Sequence, residues 1–163
     1  MSGQSRPALV YFLDSSALVK RHLVEVGSGW VGHLTAPGAG NVIAIAHIGI
    51  VEVASAFAAR LRSRFITAEL HDVLLRSFVR DADQQYSLVP TSQSVIGRAM
   101  LLTARRKLRA YDAVQLASAL IANEDAVKER VGPLVFVSAD DRLLLAAEAE
   151  GLTPENPNRH PEA

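Results

Sequence analysis

Leu9-Val10-Tyr11-Phe12-Leu13, then Asp14: five apolar, strand-forming residues run without a break and stop on an acid. A strand with one wet face alternates apolar and polar residues, whereas a strand covered on both faces does not. LVYFL therefore predicts a strand buried in a parallel sheet. Val42 to Ala46 (VIAIA) reads the same way, as does Leu134 to Val137 (LVFV) after the break at Gly132 and Pro133. Ser87 to Val89 is a further short strand candidate, and a last one is expected near Leu152.

The stretches between them carry helical signals. Ser15 to Leu34, interrupted by Gly27, Gly29 and Gly32, predicts two short helices around a turn, and Pro37, Gly38, Gly40 and Asn41 predict a loop. Helices are expected over Ile48 to Arg62, Thr67 to Asp83, Thr91 or Ser92 to about Lys107, Ala110 to Ala122, and Ala139 to Glu150 stopped by Gly151. Thr67 is a candidate N-cap, and Ala68, Leu70, Val73, Leu74, Phe78 and Val79 follow at helical spacing. Strand and helix alternate, which predicts a layered α/β domain with a mostly parallel sheet and right-handed crossovers.

With 163 residues, 49% of them hydrophobic, the chain can bury one core and is expected to form a single domain over 1–163. Its core should span about 9–152, followed by an irregular, proline-rich tail over 153–163. Cysteine is absent, which excludes disulfides and thiolate metal sites. Met1 to Ala8 has no apolar segment of a secretory kind, so a cytoplasmic location is expected. Val42 to Ala59 approaches the length of a membrane span, but His47 and Glu52 interrupt it, and a buried helix is the better reading. The formal net charge is zero and the pI about 7.0, so nucleic-acid binding would need a local basic patch. Candidates are Arg60, Arg62 and Arg64, and the run Arg105, Arg106, Lys107 and Arg109. Arg105, Arg106 and Arg109 are the expected RNA contacts, with a solvated helix face as the alternative for each run.

The chemistry rests on acids. Ligands in open α/β sheets bind outside the carboxyl ends of the strands, where both Asp14 and Asp140 fall. Asp14 can equally be an N-cap for the following helix. Around Asp140, Ser138 as N-cap and Asp141 three residues later form a potential capping box, which gives Asp141 a supporting structural job and leaves Asp140 without a local partner. Glu52 sits among Ile50, Val51, Val53, Ala54 and Ala56, where a carboxylate must be paired, protonated, exposed on a narrow stripe, or bound to a cation. Asp112 opens a helix whose apolar face is Ala113, Leu116, Ala117 and Leu120, and an acid in a first turn also simply suits the helix dipole. Brought together, such acids repel: at an effective dielectric of ~20 and ~5 Å, each pair costs roughly 3 kcal/mol. A divalent cation relieves that repulsion, and oxygen-only ligation favours Mg²⁺ or Mn²⁺ over zinc.

The blocks LDSSALVK (Leu13 to Lys20), VEVASA (Val51 to Ala56), LRAYDAVQLASAL (Leu108 to Leu120) and FVSADDRLLLAAEAEGL (Phe136 to Leu152) occur in that order. Together they resemble the PIN-domain ribonucleases of the VapC toxin type from about Leu9 to Leu152. The resemblance implies a PIN-like three-layer α/β/α sandwich with a mostly parallel sheet of four or five strands. It implies that Asp14, Glu52, Asp112 and Asp140 are catalytic and hold Mg²⁺ or Mn²⁺, with Ser16 supporting the first acid. It also implies an RNA substrate, a homodimer, and a small antitoxin protein of a VapBC-type module that inserts a segment over the groove. His47 stands where relatives often carry a small polar residue. It is expected to be a satisfied histidine, with a water or RNA contact as alternatives.

The chemistry so implied is attack of a metal-activated water on a phosphodiester, leaving a 5′-phosphate and a 3′-hydroxyl. A phosphohydrolase with an aspartyl nucleophile would want an acid where Ser16 stands, and an adhesion-type Asp-x-Ser-x-Ser module would want serine at Leu18. Neither fits. The remaining alternative is a catalytically weak PIN fold acting as an RNA-binding or scaffold protein.

Overall fold

The structure, a computed structural model, describes residues 8–161. The expected strands form and pair into one sheet of five parallel strands in the order β3-β2-β1-β4-β5. These are β1 (Val10–Leu13), β2 (Val42–Ala46), β3 (Tyr86–Val89), β4 (Val135–Val137) and β5 (Thr153–Glu155).

Alternate residues of the buried strands feed two separate cores. Phe12, Ala44, Ala46 and Phe136 point to one face, where they meet α5 (Gln93–Arg105), α6 (Ala110–Lys128) and α7 (Asp141–Ala149). Leu13, Ile43, Ile45 and Val137 point to the other, under α1 (Ser15–Leu18), α2 (Ser28–Leu34), α3 (Gly49–Arg62) and α4 (Ala68–Gln84). Helices therefore cover both faces of the sheet, in three layers, and the central strands β1, β2 and β4 have no polar face because neither side meets water. Phe12 and Phe136 stack across β1 and β4 with ring centroids 5.7 Å apart.

The chain winds outward from β1 through β2 to β3 with its helices on one face, then returns through β4 to β5 with its helices on the other. The direction of winding reverses between β1 and β4. Their carboxyl ends consequently splay helices to opposite faces and leave a crevice between them.

Several boundaries differ from expectation for local reasons. Helix α6 continues past Ala122 to Lys128, and Asn123 Oδ1 accepts from Leu134 N at 3.0 Å, which ties the extra turns to the entry of β4. The tail is not irregular: β5 pairs in register with β4, Phe136 opposite Pro154, which an edge strand tolerates because proline lacks only the outward donor. A short 3₁₀ turn, Pro157–Arg159, follows and lies against Gly27, where a Cβ would come 2.2 Å from Pro157 O. Gly27 also has φ +83, so both sterics and backbone require glycine there. In α4 the Thr67 hydroxyl accepts from Leu70 N as expected, but Leu70, Val73 and Val79 are exposed, and Leu74, Leu75, Phe78 and Ala82 do the packing. Val42 to Ala59 is a strand followed by a helix, and no helix among the described residues is long and apolar enough to cross a membrane.

Candidate active site

Asp14 lies directly beyond β1, and its N–H donates to Val137 O at 3.0 Å, extending the β1–β4 pairing by one residue. The carboxylate is buried, 4% exposed. Its Oδ1 accepts from Ala17 N at 2.9 Å and from Ser16 Oγ at 2.7 Å, so Asp14 does cap α1. Capping uses one oxygen. The other, Oδ2, accepts a 2.6 Å bond from Ser138 Oγ at the end of β4. Ser16 and Ser138 thus brace Asp14 from both sides of the crevice, and Ala139 N donates to Ser16 Oγ at 2.9 Å to close the arrangement.

The capping box expected after β4 does not form. Asp140, not Ser138, is the N-cap of α7, with Oδ1 accepting from Arg142 N at 2.8 Å and Leu143 N at 3.4 Å. Ser138 is claimed by Asp14, and its oxygen in turn accepts from Asp140 N at 3.1 Å. Asp141 faces away toward the tail, where Asn156 Nδ2 donates to it at 2.8 Å and Arg159 approaches at 3.5 Å. Its support is for the tail, by way of Asn156.

Glu52 and Asp112 arrive from helices on opposite faces of the sheet, each in a first turn, α3 for Glu52 and α6 for Asp112. Gln115, one turn beyond Asp112 and 2% exposed, donates a short bond from Nε2 to Glu52 Oε2 and so ties α6 to α3. Gly49 makes room for it: a Cβ there would stand 3.3 Å from Gln115 Nε2. The Gln115 Oε1 atom is buried without a partner.

The acids sense one another. Burial lifts the Asp14 carboxyl to about 6 against the opposing bonds from Ser138, Ser16 and Ala17, and the charge of Asp112 adds to the rise. Burial also raises Glu52, with Gln115 opposing and Asp14 and Asp112 adding. Asp112 is raised by burial and then by Asp140, against Arg109 and Arg142. The charges couple Asp140 to Asp112, Asp112 to Asp14 and to Glu52, and Asp14 to Glu52, which links the four acids in a row of neighbours. Asp112 and Asp140 line a pocket of about 340 Å³ with Arg109, Tyr111 and Arg142. Tyr111 is also the wall of a second, more apolar pocket of about 720 Å³ that holds Ser15, Ile48, Val51 and Glu52.

Among the described residues no three His, Cys, Asp or Glu side chains are grouped closely enough to enclose a metal ion. The donor set nevertheless fits a hard divalent cation of the hydrated kind. Such an ion is held by one or two carboxylates and keeps several waters. Asp112, with no hydrogen bond of its own among the described residues, and the unused Oδ2 of Asp140 offer such a pair.

The remaining expected site residues are placed elsewhere. Arg105 and Arg106 both bind Glu150, at 2.7 Å each, and tie the end of α5 to the end of α7. Only Arg109 of the expected RNA contacts borders the acids. Arg60 binds Glu25 at 2.6 Å. His47 is exposed, with its backbone N–H on Val89 O and no side-chain hydrogen bond among the described residues, so the satisfied-histidine expectation is not met. Sequence reading missed Gln115, Tyr111 and Arg142. The first had a signal, as a polar residue three positions after an acid inside an otherwise apolar helical run.

Neither a family profile nor any curated protein sequence matches the chain. Solved structures do. The chain is similar to PAE2754 from Pyrobaculum aerophilum, with TM-score 0.60 and 18% identity over 91% of this chain and 87% of that one. It is similar to VapBC2 from Rickettsia felis, solved bound to a DNA fragment from its promoter, with TM-score 0.58 and 14% identity over 91% of this chain and 98% of that one. FitAcB from Neisseria gonorrhoeae matches with TM-score 0.58 and 15% identity over the same shares, 91% and 98%. The fold is PIN-like. Identity this low carries the fold and nothing finer. The PIN-like architecture agrees with the resemblance carried by the four sequence blocks, and it sets Asp14 and Asp140 beyond the two strands of its topological switch point.

Proposed function

We propose that this chain is a Mg²⁺- or Mn²⁺-dependent endoribonuclease, the toxin of a two-protein module, restrained by a small antitoxin that covers the acidic crevice. The observation that carries the reading is the row of acids. Three carboxylates have their proton affinity raised by burial and by neighbouring acids, a charge density that a bound cation makes favourable with the carboxylates ionised. The ordered VapC-like blocks support the ribonuclease reading. The likeness in fold to VapBC2 and FitAcB supports the toxin and antitoxin assignment.

Bound at the acids, the metal would supply positive charge to the scissile phosphate and lower the pKa of a water. Asp14, Glu52, Asp112 and Asp140 would hold the cation and its waters, with Ser16 and Ser138 fixing Asp14 and Gln115 fixing Glu52. Asp112, which has no hydrogen bond of its own among the described residues, would also orient or deprotonate the attacking water. Water oxygen bonds to phosphorus, the bond to the 3′-oxygen breaks, and the 3′-oxygen takes up a proton, leaving a 5′-phosphate and a 3′-hydroxyl. Incubation of the purified chain with total RNA should give fragments in Mg²⁺ or Mn²⁺ and none in EDTA. The new 5′ ends should accept a kinase label only after phosphatase treatment. Cleavage that persists in EDTA, or in an Asp14→Asn variant, would refute the reading.

A further inference from the structure

Arg109 and Arg142 share the 340 Å³ pocket with Asp112 and Asp140, yet among the described residues neither takes part in an ion pair. Arg109 is the N-cap residue of α6 and Arg142 lies in the first turn of α7, so the two guanidiniums reach the pocket from two separate elements. Both are exposed. The other two arginines expected to bind RNA, Arg105 and Arg106, are differently disposed from Arg109: Glu150, 12% exposed, holds them together. A guanidinium already engaged by a carboxylate must give up that bond to grip a phosphate, whereas Arg109 and Arg142 give up only water.

The charge count in the pocket points the same way. Two carboxylates and two guanidiniums sum to zero, so the arginines cancel the charge of Asp112 and Asp140, which alone would repel a phosphate. A cation held by the acids would add to that cancellation and admit the backbone of a nucleic-acid strand. The arginines border the pocket of Asp112 and Asp140 and not the apolar one beyond Tyr111, which holds Glu52. Phosphates are thereby directed to one side of the row of acids.

We infer that Arg109 and Arg142 form the phosphate grip of the site, binding the RNA backbone beside the scissile bond, and that Arg105 and Arg106 are structural. This rests on the ribonuclease reading for the identity of the strand and does not need cleavage to be tested. A short fluorescein-labelled oligouridylate, titrated in Mg²⁺ over a range of salt concentrations, reads both affinity and the number of phosphates neutralised. Every protein carries Asp14→Asn to silence cleavage. Arg142→Ala and Arg109→Ala should each weaken binding about tenfold. Each should also flatten the slope of log Kd against log salt by about 0.7, one phosphate contact to a single strand. Arg142→Lys should keep the slope while losing affinity, because a point charge replaces a two-pronged donor. Arg105→Ala should alter neither. If the Asp14→Asn series binds in this pattern while the chain with Asp14 intact cuts no RNA in Mg²⁺, the phosphate grip stands and the nuclease reading falls. Unchanged slopes in both Arg142→Ala and Arg109→Ala, or an equal change in Arg105→Ala, would overturn the inference.

Discussion

Ser138 Oγ donates a 2.6 Å hydrogen bond to Asp14 Oδ2, although 124 residues separate them in the chain. The bond spans the carboxyl ends of β1 and β4 and joins the two elements where the winding of the sheet reverses.

Ser138→Ala removes the strongest of the bonds that hold the Asp14 carboxyl down, so that carboxyl should titrate above its present value of about 6. A buried carboxylate left short of a donor costs about 1–3 kcal/mol. Chemical denaturation at pH 8 should register that loss, and carbon NMR of the Asp14 carboxyl should register the upward shift. A variant with unchanged stability and an unchanged titration would show that Ser138 does not brace Asp14.

In the metal-free protein Asp14 and His22 should pull the pH dependence of stability in opposite directions, with Glu52 and Asp112, also raised, acting in the same direction as Asp14. Asp14 rises from 3.8 to about 6 on folding, so its contribution is fully present below about 3.8 and is lost as pH rises through 6. That contribution is at most about 3 kcal/mol. His22, among Phe57 and Phe78, is lowered from 6.5 to about 4 by burial, so its contribution is present above 6.5 and lost as pH falls through 4. The two oppose each other between pH 4 and 6. Asp14→Asn should therefore lose stability on acidification more steeply than the parent, and His22→Gln less steeply, in urea melts at pH 4, 5, 6 and 7 in EDTA.

Gln115→Leu keeps the volume, removes the buried unpartnered Oε1 and deletes the link to Glu52. Its melting temperature should be equal to the parent's or close to it. Half-saturation by Mn²⁺ should need about 10 to 100 times more metal, the usual cost of losing a group that orients a ligand. Gly49→Ala, which crowds Gln115 Nε2 to 3.3 Å, should move metal affinity in the same direction by less.

Asp140→Asn should leave stability nearly intact, because asparagine caps helices as well as aspartate does. It should still cut RNA cleavage by more than tenfold, since it removes a charge from the pocket shared with Asp112. Asp141→Asn should spare cleavage. The bonds of its exposed carboxylate to Asn156 and Arg159 bear on the tail, and the stability change should stay below about 1 kcal/mol.

What the sequence discloses is whatever a short window contains. The unbroken runs at Leu9, Val42 and Leu134 mark strands buried on both faces, and the acids that follow two of those runs, Asp14 at once and Asp140 after Ser138 and Ala139, fall at the switch point. Glu52 and Asp112 stand out because a charge among apolar neighbours needs a reason. The hydrogen bonds that decide the detail are long-range and leave no local trace. Ser138 looks like a cap until Asp14 claims it from another strand. Arg105 and Arg106 look like a free basic run until α7 brings Glu150 beside them. The tail reads as irregular because Pro154 hides an edge strand whose partner lies outside any window.

On the proposed function the acids repel one another, and a divalent cation relieves that repulsion. The most direct measurement is thermal unfolding of the parent and of Glu52→Gln, each with EDTA and with Mn²⁺ or Mg²⁺ added. The parent should gain stability with metal, by about 2.7 kcal/mol at a hundredfold excess over Kd. Glu52→Gln should melt at or above the parent's temperature in EDTA and should lose most of the metal-induced gain. A Glu52→Gln protein that is strongly destabilised in EDTA, yet gains as much from metal as the parent, would contradict the claim and make Glu52 a structural anion.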